Sequence, residues 1–350
     1  MNSFFYPRIL LCIPFLFAFS VSGQYRFDSW NTDNGLPQNG VRQITQTPDG
    51  YLWFTTFDGL VRFDGVRFST FNKSNTKGII NNRFTGIFSD VDGTVYGSTM
   101  EDGILTVYRN GIFSSMTSDQ IPGHYIDRIE RNEDGILKFL VEDEDRTTKS
   151  WYSLEGGKFE FMETRPSFGE DIEINGPDGT KWVVGVQGVA EYRGGQIFKT
   201  AIDLTKLTYR VNTFVDHEGS LWLGENRVHR IRGGVLKTFG ERDGLPQNSL
   251  YHSFWQEDDG SVWFASGGAA SRSIGLVQAK GDDLVIWGTE QGLTSGSIQS
   301  VFNDREGNSW LATDRGLFRR RKQVVKTFST ADGINHPEVY PLYRDRKGDI

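Results

Sequence analysis

With 350 residues, 45 Asp and Glu against 38 Lys and Arg and a formal charge of −7, the chain lacks the basic balance that binding to a phosphate backbone requires. Its 41 Gly, 26 Phe, 12 Tyr and 9 Trp describe short strands joined by tight turns and carrying large, half-buried rings. The single Cys12 leaves no disulfide, so a chain of this length must be held by its core.

The N-terminus reads as a secretory signal peptide over 1–23, cleaved before Gln24. It has Arg8, an apolar run at 9–19 and then the small residues Ser20, Ser22 and Gly23. The run is shorter than the roughly 20 residues of a bilayer span. Leu11 precedes Cys12 where a lipoprotein signal would have a small residue. The mature chain is therefore expected in the periplasm or another extracytoplasmic compartment, without cysteine.

Past Gln24 the chain repeats itself. In the first unit, 41–47 extends, Pro48-Asp49-Gly50 turns and 51–56 extends. Asp58-Gly59 turns again, 60–63 extends, Asp64-Gly65 turns and 66–71 closes. The turn glycine recurs at Gly93, Gly135, Gly179, Gly219, Gly260, Gly307 and Gly348, at spacings of 40 to 47 residues. Three positions after the first seven of these glycines stand Trp53, Tyr96, Lys138, Trp182, Trp222, Trp263 and Trp310; in the third unit Phe139 is the adjacent aromatic. A Gly-aliphatic pair follows at Gly59-Leu60, Gly103-Ile104, Gly188-Val189 and Gly316-Leu317. The third unit puts a charged loop at 142–146 in its place, and the sixth carries an insert at 267–273.

Tight turns with Gly join antiparallel neighbours, and four short strands in about 42 residues is the arithmetic of a propeller blade. The turn glycines leave no room for the paired helices of a helical solenoid. The predicted fold is all-β: a β-propeller over 24–350, with seven complete repeats near 34–76, 77–118, 119–163, 164–203, 204–242, 243–290 and 291–331. A truncated eighth follows at 332–350. Residues 25–30 read as a fourth strand without a blade of its own, expected to complete the half-blade at the far end. That ending reads as the cut edge of a longer receptor.

The stretch from Gly35 to Gly65, with Gly-Leu-Pro, a polar pair, an inner strand, Asp-Gly, Leu-Trp, Thr and Gly-Leu, resembles the two-component regulator propeller repeat. Residues 304–320 resemble it nearly as well. The resemblance implies the extracytoplasmic sensor region of a bacterial receptor of the two-component or diguanylate cyclase type. It further implies a membrane anchor and an output domain, histidine kinase or cyclase, beyond residue 350, and a receptor homodimer.

Catalytic chemistry has no motif here. The five histidines, His124, His217, His229, His252 and His336, show no metal-ligand spacing. There is no nucleophile elbow or phosphate loop. The Asp-Gly turns lack the twelve-position ligand pattern of a calcium loop and read as turns whose Asp bonds its own backbone. The phrase from Asp304 to Trp310 resembles the Asp-box of sialidases, but nothing marks out the remainder of such a site. No enzyme activity, cofactor or metal is expected in this segment. The aromatics three positions after the turn glycine read as core between adjacent sheets.

The connectors leading into each first strand are where the copies diverge. "GLPQNG" at 35–40 returns as "GLPQNS" at 244–249, with weaker copies at 78–82 and 120–122. The candidate ligand-binding residues are therefore Asn39, Asn82, Arg83, His124, Tyr125, Tyr209, Asn248, Ser249 and Ser297, at the mouth of the propeller. The expected ligand is a small molecule or carbohydrate. The alternatives are a secreted binding scaffold and a glycan-processing enzyme.

Overall fold

Thr47 and Gly50 show how the repeat folds. The Tyr51 carbonyl accepts from Thr47 N at 3.0 Å and the Thr47 carbonyl from Gly50 N at 2.9 Å. This reverses the chain at Gly50, where φ is +95°, a backbone region favourable only to glycine. Val41–Gln46 and Leu52–Thr56 pair across that turn, and Gly59–Phe63 and Phe68–Phe71 complete an antiparallel sheet. Leu52–Thr56 is buried at every position because the sheet has a neighbour on each side.

The computed structural model describes residues 25–99, 103–132, 134–144, 148–166, 172–185, 188–200, 212–246, 249–267, 273–293 and 297–322. Among them are seven four-stranded sheets, the blades of a β-propeller. The first strands are Val41–Gln46, Phe84–Ser89, Tyr125–Arg131, Ile172–Asn175, Asn212–Val215, Leu250–Gln256 and Ile298–Asn303. Arg26–Arg321 pack as one compact unit. The signal peptide, the truncated eighth repeat, Tyr209, Asn248 and most of the 267–273 insert lie outside the described residues. No helix among the described residues is long and apolar enough to cross a membrane.

The N-terminal strand departs from expectation. Tyr25–Trp30 does not complete a half-blade at 332–350. It pairs beside Gly316–Lys322, as the fourth strand of the seventh sheet. The physical reason is that 29–39 repeats the chemistry of 70–82. Asn34 and Asn75 each use their side-chain oxygen to accept from the backbone N of the asparagine three residues earlier, at 2.7 and 3.0 Å. Each also donates from its amide to a strand carbonyl, Ser29 or Thr70, at 3.0 Å. A side-chain carbon at Gly316 would meet the Trp30 carbonyl at 2.4 Å, as one at Gly59 would meet that of Phe71. At Gly59 and Gly316 the Gly-aliphatic pair thus marks where a fourth strand crosses close to the third, and Trp30 fills that place in the seventh sheet. Trp30 stacks on Trp310 at 5.3 Å, and Asp28 pairs with Arg319 at 2.7 Å.

The recurring aromatic joins consecutive sheets. Trp310 packs with Phe54, Val61 and Phe63 of the first sheet, and Trp53 with Phe84, Val95 and Phe113 of the second. Tyr96 meets Phe139 and Val141 of the third, Trp182 meets Leu221 and Leu223 of the fifth, and Trp222 meets Val262 and Phe264 of the sixth. Phe139 is not the stand-in for the missing aromatic of the third sheet. One position on from Lys138, it points to the opposite face and packs against Tyr96 at 5.7 Å. Lys138 occupies the aromatic's place, bonds Glu130 at 3.1 Å and lies 4.2 Å from the ring of buried Trp151, which supplies the missing bulk.

The turn acids bond their own backbone, as expected, and two also anchor the tryptophan. Asp304 accepts from Asn308 N at 2.8 Å and from Trp310 Nε1 at 2.6 Å. Asp216 accepts from Ser220 N and Trp222 Nε1, each at 2.8 Å. In the charged loop of the third unit, Asp143 closes its hairpin by accepting from Thr148 N at 3.0 Å.

Candidate functional site

In five sheets, the first, second, third, sixth and seventh, the described connector from the preceding sheet leads into the first strand, and its leucine or isoleucine fixes it. Leu36, Ile79, Ile121, Leu245 and Leu293 are all buried. In the best-spelled copies, Leu36 N bonds the Asn31 carbonyl at 2.9 Å and Leu245 N the Gly240 carbonyl at 3.0 Å. The Gly-Leu-Pro phrase is therefore a plug between sheets, and the residues after it enter the first strand from a fixed position.

Five of those first strands slip register near their start: between Val41 and Ile44, Phe84 and Gly86, Ile126 and Arg128, His252 and Trp255, and Ile298 and Ser300. A β-bulge adds a residue to one strand and re-aims the side chains there. Arg42, Gln43, Asp127, Ser253 and Gln299 stand at these slips. Ser253 takes the left-handed backbone, φ +55°, a conformation that persists only where its surroundings enforce it.

At the first and seventh sheets the bulges assemble one cluster. Arg42 has its guanidinium carbon 4.5 Å from the centre of the Phe57 ring, and Arg83, arriving from the second sheet, lies 4.6 Å from the same ring. The Gln38 side-chain oxygen accepts from Phe57 N at 2.8 Å and holds the ring's loop. Arg42 Nη1 donates to Gln299 Oε1 at 3.1 Å, and Gln299 Nε2 donates to Ser297 Oγ at 3.2 Å. Ser300 Oγ donates to the Arg42 carbonyl at 2.9 Å. Three sheets thus contribute to a polar surface with two guanidinium groups on one aromatic ring.

Of the residues singled out from the sequence, Arg83 and Ser297 belong to this cluster. Asn39 and Asn82 serve the connectors: Asn39 Oδ1 accepts from Thr32 N at 2.8 Å and Asn82 Oδ1 from Lys73 N at 2.9 Å. His124 and Tyr125 meet edge to face at 5.7 Å at the start of the third sheet, and His124 N donates to the Glu142 carbonyl at 2.8 Å. Ser249 is buried beside Tyr251. Burial pushes the Tyr251 phenol up to about 12, against a smaller opposing hydrogen bond from Ser249; its hydroxyl donates to the Pro246 carbonyl at 3.0 Å. Sequence reasoning missed Arg42, Phe57 and Gln299. Its alternating pattern places them as ordinary strand and turn residues, and the only signal was the polar Gln38 directly after Pro37.

Next to the connector of the sixth sheet, His252 Nε2 donates to the Ile298 carbonyl at 3.2 Å, which leaves Nδ1 to accept from Ser253 Oγ at 2.9 Å. Burial pushes this imidazole below its ordinary value, with the Ile298 bond opposing. Burial does the same at His229, and Arg227 adds to it. Both stay neutral in the folded chain at a pH where the unfolded chain binds protons. Their contribution to stability is complete above the unfolded value of about 6.5 and declines as pH falls through it. The Tm is expected to fall between about pH 7 and pH 5, and His252→Gln to flatten that slope; identical slopes would remove His252 from the account.

A concavity of about 290 Å³ lies between the fifth and sixth sheets, at the strand ends remote from the connectors, with Trp222, Arg230, Arg232 and Lys237 in its wall. Arg230 pairs there with Asp282 at 2.6 Å and Arg232 with Glu218 at 2.7 Å, so these charges are already matched. No group of three or more His, Cys, Asp or Glu among the described residues is placed to hold a metal ion.

Residues 35–58 match the family model of the two component regulator propeller. No curated protein matches the sequence. Among solved structures, the chain is similar to the extracellular domain of the hybrid two component system BT3049 from B. thetaiotaomicron, with 18% identity and a TM-score of 0.59 over 85% of this chain and 42% of that one. It is also similar to the extracellular domain of the one component system BT4673 from the same organism, with 19% identity and a TM-score of 0.60 over 92% of this chain and 44% of that one. A catalytically inactive virginiamycin B lyase from Staphylococcus aureus shares the fold at 16% identity and a TM-score of 0.56, over 85% of this chain and 99% of that one. The chain spans less than half the length of the two extracellular domains.

Proposed function

Because the chain carries a two component regulator propeller repeat at residues 35–58, we propose that it is the extracytoplasmic ligand-sensing propeller of a bacterial signal-transduction receptor. The observation that carries this reading is the joint presence of that repeat and a fold shared with two receptor extracellular domains. The connector face, where bulged first strands bring Arg42, Phe57, Arg83 and Gln299 together, is the place for a small soluble ligand, a carbohydrate or its fragment among them. Export follows from the leader at 1–23. Occupancy acts by population shift: the ligand favours one arrangement of the receptor over another only by the difference in its affinity for the two, and an output module of the kinase or cyclase type reads the change. The propeller itself does no chemistry in this scheme.

The test is a thermal-shift screen of the purified protein against soluble oligosaccharides, sugar acids, amino acids and dicarboxylates, with product analysis of every ligand that binds. At least one class is expected to raise the Tm saturably and to be recovered unchanged. Conversion of the bound compound would move the protein to the enzymes, as with the lyases of the same fold; a flat response across the panel would overturn the sensor reading.

A further inference from the structure

Two non-glycine residues among those described have a left-handed backbone, Asn110 at φ +51° and Ser253 at φ +55°. Asn110 opens a two-residue hairpin turn with Gly111, a place that suits asparagine. Ser253 lies instead inside the strand Leu250–Gln256, at the slip between His252 and Trp255, where positive φ is costly for a serine. Strain of this kind gathers at sites of chemistry. Neighbouring side chains of an extended strand point to opposite faces. The left-handed backbone removes that separation and brings Ser253 Oγ to 2.9 Å from His252 Nδ1. The imidazole is itself held: it is buried, and Nε2 donates to the Ile298 carbonyl of the seventh sheet at 3.2 Å. A side chain at Gly267 would clash with both Nε2 and that carbonyl, so glycine there leaves room for the contact. His229 also meets a hydroxyl, Thr238 Oγ1 at 2.9 Å. That pair sits on a regular ladder, and among the described residues His229 Nε2 has no hydrogen bond to fix its tautomer.

From this we infer that Ser253 and His252 form a nucleophile–base pair, and that Ser253 takes up acyl groups from small esters. A serine is activated by an adjacent base, which a third group orients in turn. Here the Ile298 carbonyl is that group, keeping the proton on Nε2 and the lone pair of Nδ1 towards Oγ. In the reaction, Ser253 Oγ bonds to the ester carbonyl carbon while the Oγ proton passes to His252 Nδ1. The ester C–O bond then breaks and the proton goes to the departing alkoxide, leaving an acyl-serine and a neutral imidazole. Water next attacks the acyl carbonyl as Nδ1 takes its proton and returns it to Oγ, releasing the carboxylic acid. The imidazolium formed in each half keeps its bond to the Ile298 carbonyl. Ser253 is half-buried, within reach of a small ester. The inference goes beyond the sensor reading and does not depend on it. The compounds screened for sensing carry no ester, so the two fail separately.

The experiment exposes the purified protein to p-nitrophenyl acetate and to a biotinylated fluorophosphonate, which a serine attacks at phosphorus with loss of fluoride. The urea-unfolded protein supplies the baseline, and peptide mass spectrometry locates the label. Both reagents are expected to modify Ser253 in the folded protein faster than in the unfolded chain. His252→Gln keeps an amide that can bond the Ile298 carbonyl but removes the base, and is expected to slow labelling by about a hundredfold or more. Ser253→Gly removes the hydroxyl and accepts positive φ without strain. It is expected to abolish the label while leaving the Tm unchanged or higher. Labelling no faster than in the unfolded chain, a label on another residue, or an unchanged rate in His252→Gln would overturn the inference. A lowered Tm in Ser253→Gly would show that the hydroxyl serves stability, and would overturn it as well.

Discussion

Trp53→Ala is expected to destabilise the protein by about 3 to 5 kcal/mol, the cost of emptying a large core site, and to lower its Tm by about 5–15 °C. Trp53 is 1% exposed. Its ring stacks on Phe71 at 5.4 Å and meets Tyr108 at 4.8 Å and Phe113 at 6.4 Å, so a single side chain ties the first sheet to the second. Truncation opens a cavity that two stiff sheets cannot close, because their separation is set by every other contact between them. Trp53→Phe is expected to recover much of the loss. Ligand affinity should survive in the folded fraction, since Trp53 packs in mid-sheet and the Arg42 and Arg83 guanidiniums sit on Phe57. Heat denaturation of the two variants checks the stability and calorimetry the affinity. An unchanged Tm with lost binding would make Trp53 a ligand platform instead of core.

Gly316→Val is expected to destabilise by a comparable amount, about 3 kcal/mol or more, by a different route. Gly316 has φ +146°, and an added Cβ would lie 2.4 Å from the Trp30 carbonyl. A β-branched residue there can be housed only if the strand Tyr25–Trp30 moves away from Gly316–Lys322. Trp30 would then lose its stack on Trp310 and its edge contact with Phe63 at 5.6 Å, and the seventh sheet would present an unpaired edge, a template for self-association. The expected result is a fall in Tm together with concentration-dependent aggregation in light scattering. A monomeric variant with wild-type Tm would show that the N-terminal strand contributes little. Gly59→Val should destabilise the first sheet without freeing a terminal strand, because Phe71 belongs to the same continuous unit.

The turns, the four-strand unit and the buried aromatic were legible because each is a local demand. A glycine at positive φ, an acid that caps its own turn and a ring every 40 to 47 residues need no knowledge of partners. The connector phrase was legible as a repeat, and the burial of its leucine came from the structure. Its asparagines were misleading. Asn39 and Asn82 are polar and stand at diverging positions, yet their side chains are engaged with Thr32 and Lys73 within the same connector. Polarity in a loop has the same signature whether the group faces a ligand or the loop's own backbone.

The rest was not legible because it depends on register and on which sheets are neighbours. In the sequence Phe139 is simply the aromatic next to Lys138, but a one-residue step in a strand turns the side chain to the other face, and Lys138 itself lies against Trp151 on another strand. Arg42 and Phe57 are ordinary in a one-dimensional reading; a bulge and the packing of three sheets bring them to Arg83 and Gln299.

Taken alone, the sequence determined the repeat, its strand content and its inter-sheet aromatics, since period and turn chemistry follow from contacts within about 42 residues. Which blade the N-terminal strand completes, and which polar residues share a surface, were decided only by the tertiary structure. Trp30 and Gly316 lie far apart in the chain, as do Arg42 and Gln299, and no local preference distinguishes a strand that pairs with its own neighbours from one that finishes a sheet at the other end of the fold.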